Sequence, residues 1–148
     1  MKSAVVETVA SILERKSADV WAIGPDATVF EAIAEMAHRE VGALVVVEEG
    51  RLVGIISERD YARKVILQGA SSKETLVHAI MTPSPVTVTP EHTVEECMRI
   101  VTRQHIRHLP VLDRGNVTGM ISIGDLVKAI ISAQVYTIDQ LHAYITAT

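Results

Sequence analysis

The chain contains itself twice. Sliding residues 25–66 onto residues 90–131 aligns them without a gap, so that Asp60 falls on Asp125, 65 positions further on. Across that offset Pro25, Thr28, Val29, Glu31, Leu44 and Val46 recur as Pro90, Thr93, Val94, Glu96, Leu109 and Val111. Gly50, Gly54, Ile56, Ser57, Asp60 and Ile66 recur as Gly115, Gly119, Ile121, Ser122, Asp125 and Ile131. Two copies of one supersecondary unit carry equivalent faces that can pack on each other about a pseudo-twofold axis. Each copy also keeps one short polar signature, Gly54-Ile-Ile-Ser-Glu-Arg-Asp60 and Gly119-Met-Ile-Ser-Ile-Gly-Asp125, so a pair of related small-molecule sites is expected.

The material for the core is aliphatic. Of 148 residues 48% are hydrophobic, yet there is a single Phe and a single Trp, so Val, Ile, Leu, Ala and Met must fill the interior. One cysteine, Cys97, excludes an internal disulfide framework and agrees with a reducing compartment. Its spacing from Val94 and Val101 puts it on the buried stripe of a helix. Lys2, Glu7, Glu14 and Arg15 interrupt the first sixteen residues, which leaves no export signal and no membrane span, and a cytoplasmic location is expected. A net charge of −4 argues against a general nucleic-acid binder.

Each copy reads as strand, helix, strand, strand, helix, an α/β (α+β) class of tandem β-α-β-β-α units with extra helices at the two ends. Thr28 with Glu31, and Thr93 with Glu96, form T-x-x-E capping boxes that start helices carrying Val29, Ile33 and Met36, and Val94, Met98 and Val101. Strands are expected over 20–23, 43–47 and 52–56, and again over 85–88, 108–112 and 117–121. Closing helices run over 57–67 and to about residue 131. The expected division is an N-terminal helix over 1–15, a first unit over 16–68, a linker helix over 69–80, a second unit over 81–132 and a C-terminal helix over 133–148. Ser71 with Glu74 caps the linker helix, and Thr137 with Gln140 caps the last, which bears Ile138, Leu141 and Ile145. The apolar stripes of the end helices must cover either the protein's own core or a second subunit.

The paired signature has a chemical use. A serine at the end of a strand and an acid three residues later lie at a helix N-terminus, where a carboxylate can accept both hydroxyls of a ribose diol and free N–H groups favour a phosphate. Ser57 with Asp60, and Ser122 with Asp125, supply that pair. The plain alternative is that serine and acid merely cap the helix that they start.

The repeat resembles the cystathionine β-synthase domain family, CBS domains, two of which pair into a Bateman module. The G-h-h-S-x-x-D signature in both copies, Met81-Thr82-Pro-Ser-Pro-Val86, Arg107-His-Leu-Pro-Val111 and the 65-residue tandem spacing carry the resemblance over about residues 16–131. It implies that Asp60 and Asp125 are ribose acids with Ser57 and Ser122 as hydroxyl partners. It implies that Val20, Gly42, Ala43 and Leu44 in the first copy, and Pro85, Arg107, His108, Leu109 and Pro110 in the second, frame the base. Arg59 stands where the second copy has Gly124, and Arg107 where the first has Gly42, so Arg59 and Arg107 are the expected phosphate ligands. Arg63 and Lys64 read as the solvated face of a helix. The first copy departs from the family pattern, with Leu44-Val45-Val46 in its strand and Lys16-Ser-Ala-Asp-Val20 as its lead-in.

The function that the resemblance implies is a stand-alone regulatory module, not an enzyme, that senses an adenine nucleotide. AMP or ATP is the first choice, with NAD or S-adenosylmethionine as larger alternatives. The signal passes by conformational change to a partner in trans, and a homodimer is expected; neither a membrane nor nucleic acid is an expected partner. Two alternatives stand beside it: an interaction or inhibitor module with vestigial sites, or an enzyme of unrecognised type. No G-x-S-x-G elbow, Walker loop or H-E-x-x-H helix is present, so no catalytic residue is assigned. His105 and His108 lack an obvious third partner, so no metal site is assigned.

Overall fold

A computed structural model describes residues 7–16 and 19–147. The offset of the sequence reappears in the backbone. Helix α2 (Val29–Arg39) and helix α5 (Val94–Gln104) both start on complete Thr/Glu capping boxes and both end on a left-handed residue, Glu40 at φ 56° and His105 at φ 54°. Strands β2 (Ala43–Glu48) and β3 (Arg51–Ser57) pair antiparallel with Leu44 opposite Ile56 and Val46 opposite Gly54. Strands β5 (His108–Asp113) and β6 (Asn116–Ser122) pair with Leu109 opposite Ile121 and Val111 opposite Gly119, the same register 65 residues later. The turns agree too. Glu49-Gly50 and Arg114-Gly115 all have positive φ, the two-residue geometry whose twist suits a tight hairpin.

Each unit is completed by a helix that precedes the other. Helix α1 (Val9–Arg15), capped by the Thr8 hydroxyl accepting from the Ser11 N–H, buries Val9 and Ile12 among Val94, Cys97, Leu109 and Ile121 of the second core. The Val9 N–H donates to the His92 carbonyl, and the Val94 N–H to that of Glu7. Helix α4 (Val77–Ile80) does the same for the first core, burying Val77 and Ile80 beside Val29, Met36, Leu44 and Ile56. The stripe of α1 therefore covers the protein's own core. Cys97 is buried, and burial pushes its thiol up to about 11.

The chain crosses once more after α4. Strand β4 (Thr82–Pro83) joins the first sheet by pairing antiparallel with β3, giving the order β1-β2-β3-β4, where β1 (Ala22–Ile23) lies parallel to β2. Gly54 permits that approach: a Cβ there would lie 2.5 Å from the Met81 sulfur and 3.0 Å from the Thr82 carbonyl oxygen. Gly54→Ala is expected to destabilise the fold by about 1–3 kcal/mol, as overpacking does. Gly119→Ala should cost less, because the atoms its Cβ would meet belong to the movable side chain of Leu13. Urea melts of the two variants compare them.

Four sequence expectations are corrected. The strand over 85–88 shrinks to a single parallel bridge from Val88 to Val111, since Pro85 has no N–H to donate. The linker helix is only α4, with Leu76 at its N-cap and no side-chain cap; Ser71 instead closes a turn, its carbonyl accepting from the Glu74 N–H and the Thr75 hydroxyl. The closing helix of the first unit is one α turn, α3 (Glu58–Tyr61), followed by a π turn over Ala62–Ile66. Helix α6 (Ile123–Ala147) runs unbroken through residue 137, so no separate last helix starts there. The portion of the expected N-terminal helix over residues 1–6 lies outside the described residues.

Candidate functional site

Both strand-to-helix junctions close alike. At the end of β3 the Ser57 N–H donates to Asp60 Oδ2 at 2.9 Å, and the Asp60 N–H donates back to Ser57 Oγ at 3.3 Å. At the end of β6 the corresponding bonds join Ser122 and Asp125 at 2.8 and 3.1 Å. Both serine–acid pairs thus form capping boxes. A carboxylate has about four lone-pair sites, so capping leaves each acid further capacity to accept.

The crossed topology then mixes the copies. Ser57 and Asp60 of the first copy open onto Pro85, Arg107 and His108 of the second, in a cleft of about 420 Å³. Ser122 of the second copy opens onto Trp21, Gly42 and Ala43 of the first, in a cleft of about 480 Å³. Each cleft is of the size that takes a small molecule, in the range of about 300–1,000 Å³. His108 lies between the two and lines both. Burial lowers its pKa, Asp125 opposes that, and the charges of Arg107 and Lys16 reinforce it, so the imidazole is neutral at pH 7.

Charge separates the clefts. Arg59, Arg63, Lys64 and Arg107 all line the first, against the single acid Asp60. These cations stand together on one cleft, and Arg63 and Lys64, read from the sequence as a solvated face, are among its lining residues. Lys64 Nζ reaches Asp60 Oδ1 at 3.1 Å and donates to the Ile80 carbonyl at 2.8 Å. The second cleft has Lys16 against Asp19 and Glu40. Lys16 Nζ donates to Asp125 Oδ2 and to the Met120 carbonyl, both at 2.8 Å. Burial raises the Asp125 pKa, but the hydrogen bonds from Lys16 and Ser122, with the lysine charge, outweigh it and hold the carboxyl below its ordinary value.

Not every expected residue reaches a cleft. Leu44 and Leu109 are wholly buried and belong to the two cores, and Pro110, within β5, is buried as well. Alternation along a strand explains the two leucines, because the neighbours of cleft-facing Ala43 and His108 point to the opposite face. Val20 is half-buried between the lining residues Asp19 and Trp21 without lining the cleft itself. Lys16, Trp21 and Glu40 were missed by the sequence reading. Trp21 is held in place by the Arg39 guanidinium, 3.8 Å from its ring centroid. Their signal was the offset itself, which sets Lys16 on Met81, Trp21 on Val86 and Glu40 on His105.

The CBS domain profile matches residues 7–66 and 77–132, the two units traced by the repeat. The chain belongs to the CBS domain family. Its CBS pair is 46% identical over 138 residues to the CBS domain-containing protein CBSX3, mitochondrial, of Arabidopsis thaliana, covering 88% of this chain and 66% of that one. The chain thus spans just under two thirds of that relative's length. A CBS-domain protein of known structure from Burkholderia ambifaria is 47% identical, with a TM-score of 0.82 over 84% of this chain and 94% of the other. CBSX2, solved in complex with AMP, is 25% identical, with a TM-score of 0.69 over 85% and 97% of the two chains. Among the described residues no helix is long and apolar enough to cross a membrane, and no three His, Cys, Asp or Glu side chains stand together as a metal site.

Proposed function

We propose that this CBS pair is a non-catalytic regulatory module that binds an adenine nucleotide in the first cleft. One observation carries the proposal: the Ser57–Asp60 pair, Arg59 and Arg107 line one cleft of a size that takes a nucleoside. Asp60 would accept the ribose hydroxyls, and the two guanidiniums would hold phosphate in their fork geometry. AMP is the favoured ligand, since CBSX2 was solved with it, and ATP, NAD and S-adenosylmethionine are the candidates to set beside it. A ligand touching Asp60 and Arg107 at once touches both CBS units, so it favours one angle between them and biases what a partner in trans, or a second copy, can grip. A reducing compartment such as the cytoplasm suits the lone buried thiol.

Both acids already close capping boxes, which favours the second reading, an interaction module whose clefts are empty of ligand. A thermal-shift series with AMP, ADP, ATP, NAD, NADH and S-adenosylmethionine separates the two. A ligand of the native state stabilises it by RT ln(1 + [L]/Kd), about 2.7 kcal/mol at a hundredfold excess over Kd. A clear rise with AMP that disappears in Asp60→Asn, where the cap is kept, supports sensing. No rise with any compound supports the interaction module.

A further inference from the structure

The two clefts are related by the repeat but opposite in charge, and we propose that only the first admits a phosphorylated nucleotide, so that each chain binds one. This rests on the sensing reading above. Size does not separate the clefts, since the second is the roomier, at about 480 against 420 Å³. The position-by-position substitutions do. Where the first cleft has Arg59, His105 and Arg107, the second has Gly124, Glu40 and Gly42 at the same offset. Ser84 is likewise replaced by Asp19, and the cleft-lining Lys64 by Ala129, which is buried in the second core. Every guanidinium of the first cleft is replaced, Arg63 by Lys128, which is not among the lining residues of the second, and two carboxylates line the wall in place of a hydroxyl and an imidazole. Glu58 adds a third near Gly42, its Oε1 3.2 Å from where a Cβ on Gly42 would lie.

Among the described residues Lys16 is the one cation that lines the second cleft, and it is already committed. Lys16 stands at the position of Met81, whose apolar side chain packs over Gly54. Lys16 instead sends its ammonium to Asp125 and to the Met120 carbonyl, 2.8 Å from each. The result is that Lys16 lines the second cleft while Asp125 does not, whereas Asp60 lines the first. In the first cleft Lys64 reaches its acid along the same helix, as an i, i+4 neighbour, and both groups remain on the wall. A ribose entering the second cleft must therefore first displace Lys16. Its phosphate would then sit against Asp19 and Glu40, and like charges in a cleft with low-dielectric walls repel more strongly than they do in water. Lys16 is thus the residue that withdraws the second acid, and Asp19 with Glu40 set the sign.

Isothermal titration with AMP and then with ATP, on the full chain, tests this, with mass spectrometry of the intact complex to count bound molecules. The expected result is one nucleotide per chain, a loss of at least tenfold in affinity in Asp60→Asn, and a change of less than about threefold in Asp125→Asn. Asparagine retains a side-chain oxygen that accepts the N–H of the N-cap serine, so both variants keep their junctions, and circular dichroism checks this. Two molecules per chain overturn the asymmetry while leaving the sensing reading intact. Loss in Asp125→Asn with retention in Asp60→Asn overturns the assignment of clefts. Binding of neither nucleotide to the wild type overturns the sensing reading itself, and this inference with it.

Discussion

Replacing Arg59 and Arg107 together by alanine raises the Kd for AMP at least a hundredfold and leaves the affinity for adenosine within about threefold, if each guanidinium makes a charge-assisted bond of about 1.5–3 kcal/mol to phosphate. The two residues come from different CBS units, Arg59 from the start of α3 and Arg107 from the turn before β5, and they meet only because of the crossed topology. Each single variant should lose about tenfold. The comparison with adenosine is what makes the result specific, since a variant that had merely loosened the cleft would lose both ligands alike. Raising the salt concentration should weaken AMP binding more in the wild type than in the double variant, which keeps only Arg63 and Lys64 of the cationic wall. Titration calorimetry at two ionic strengths reads all of this. Equal losses for AMP and adenosine would move the phosphate elsewhere.

The parts of this fold that were legible in the sequence are those governed by the offset. The capping boxes at Thr28 and Thr93 followed from it, as did the strand runs on either side of Gly50 and Gly115, because each is fixed by residues within a few positions of one another. The crossings were not legible. The stripe of Val9 and Ile12 says that α1 must bury a face, and nothing local says that the face belongs to a core built around Leu109. The same holds for Lys16, whose partner Asp125 lies 109 positions away. The way the copies share clefts was hidden for the same reason: Ser57 and Arg107 line one, while Ser122 lines the other with Gly42. Continuity of α6 could have been read directly, since no Gly or Pro follows Gly124. Thr137 with Gln140 imitated a helix start because the T-x-x-Q spacing occurs in helix interiors as well as at caps.

That long helix carries the second large effect. At 100° per residue Ile123, Val127, Ile131, Ile138, Leu141 and Ile145 fall within an arc of about 80° on one side of α6. All six are exposed, from 39% for Ile123 to 67% for Ile145, while Leu126 and Ala129 on the adjoining face are buried in the second core. A second copy offers the same stripe in return, as a twofold interface requires. Pairing two stripes buries Ile138, Leu141 and Ile145 from each chain, at about 1.5–3 kcal/mol per side chain before the loss of translational freedom is subtracted. Light scattering after size exclusion should therefore find the wild type dimeric and Ile138→Asp with Leu141→Asp monomeric, a shift of at least a hundredfold in dissociation constant. The stripe shares no residue with either cleft, so the monomeric variant should still bind AMP with its affinity within a few-fold of the wild type. A dimer that survives both aspartates would put the interface on another face, and a wild type already monomeric at tens of micromolar would leave the stripe to a different partner.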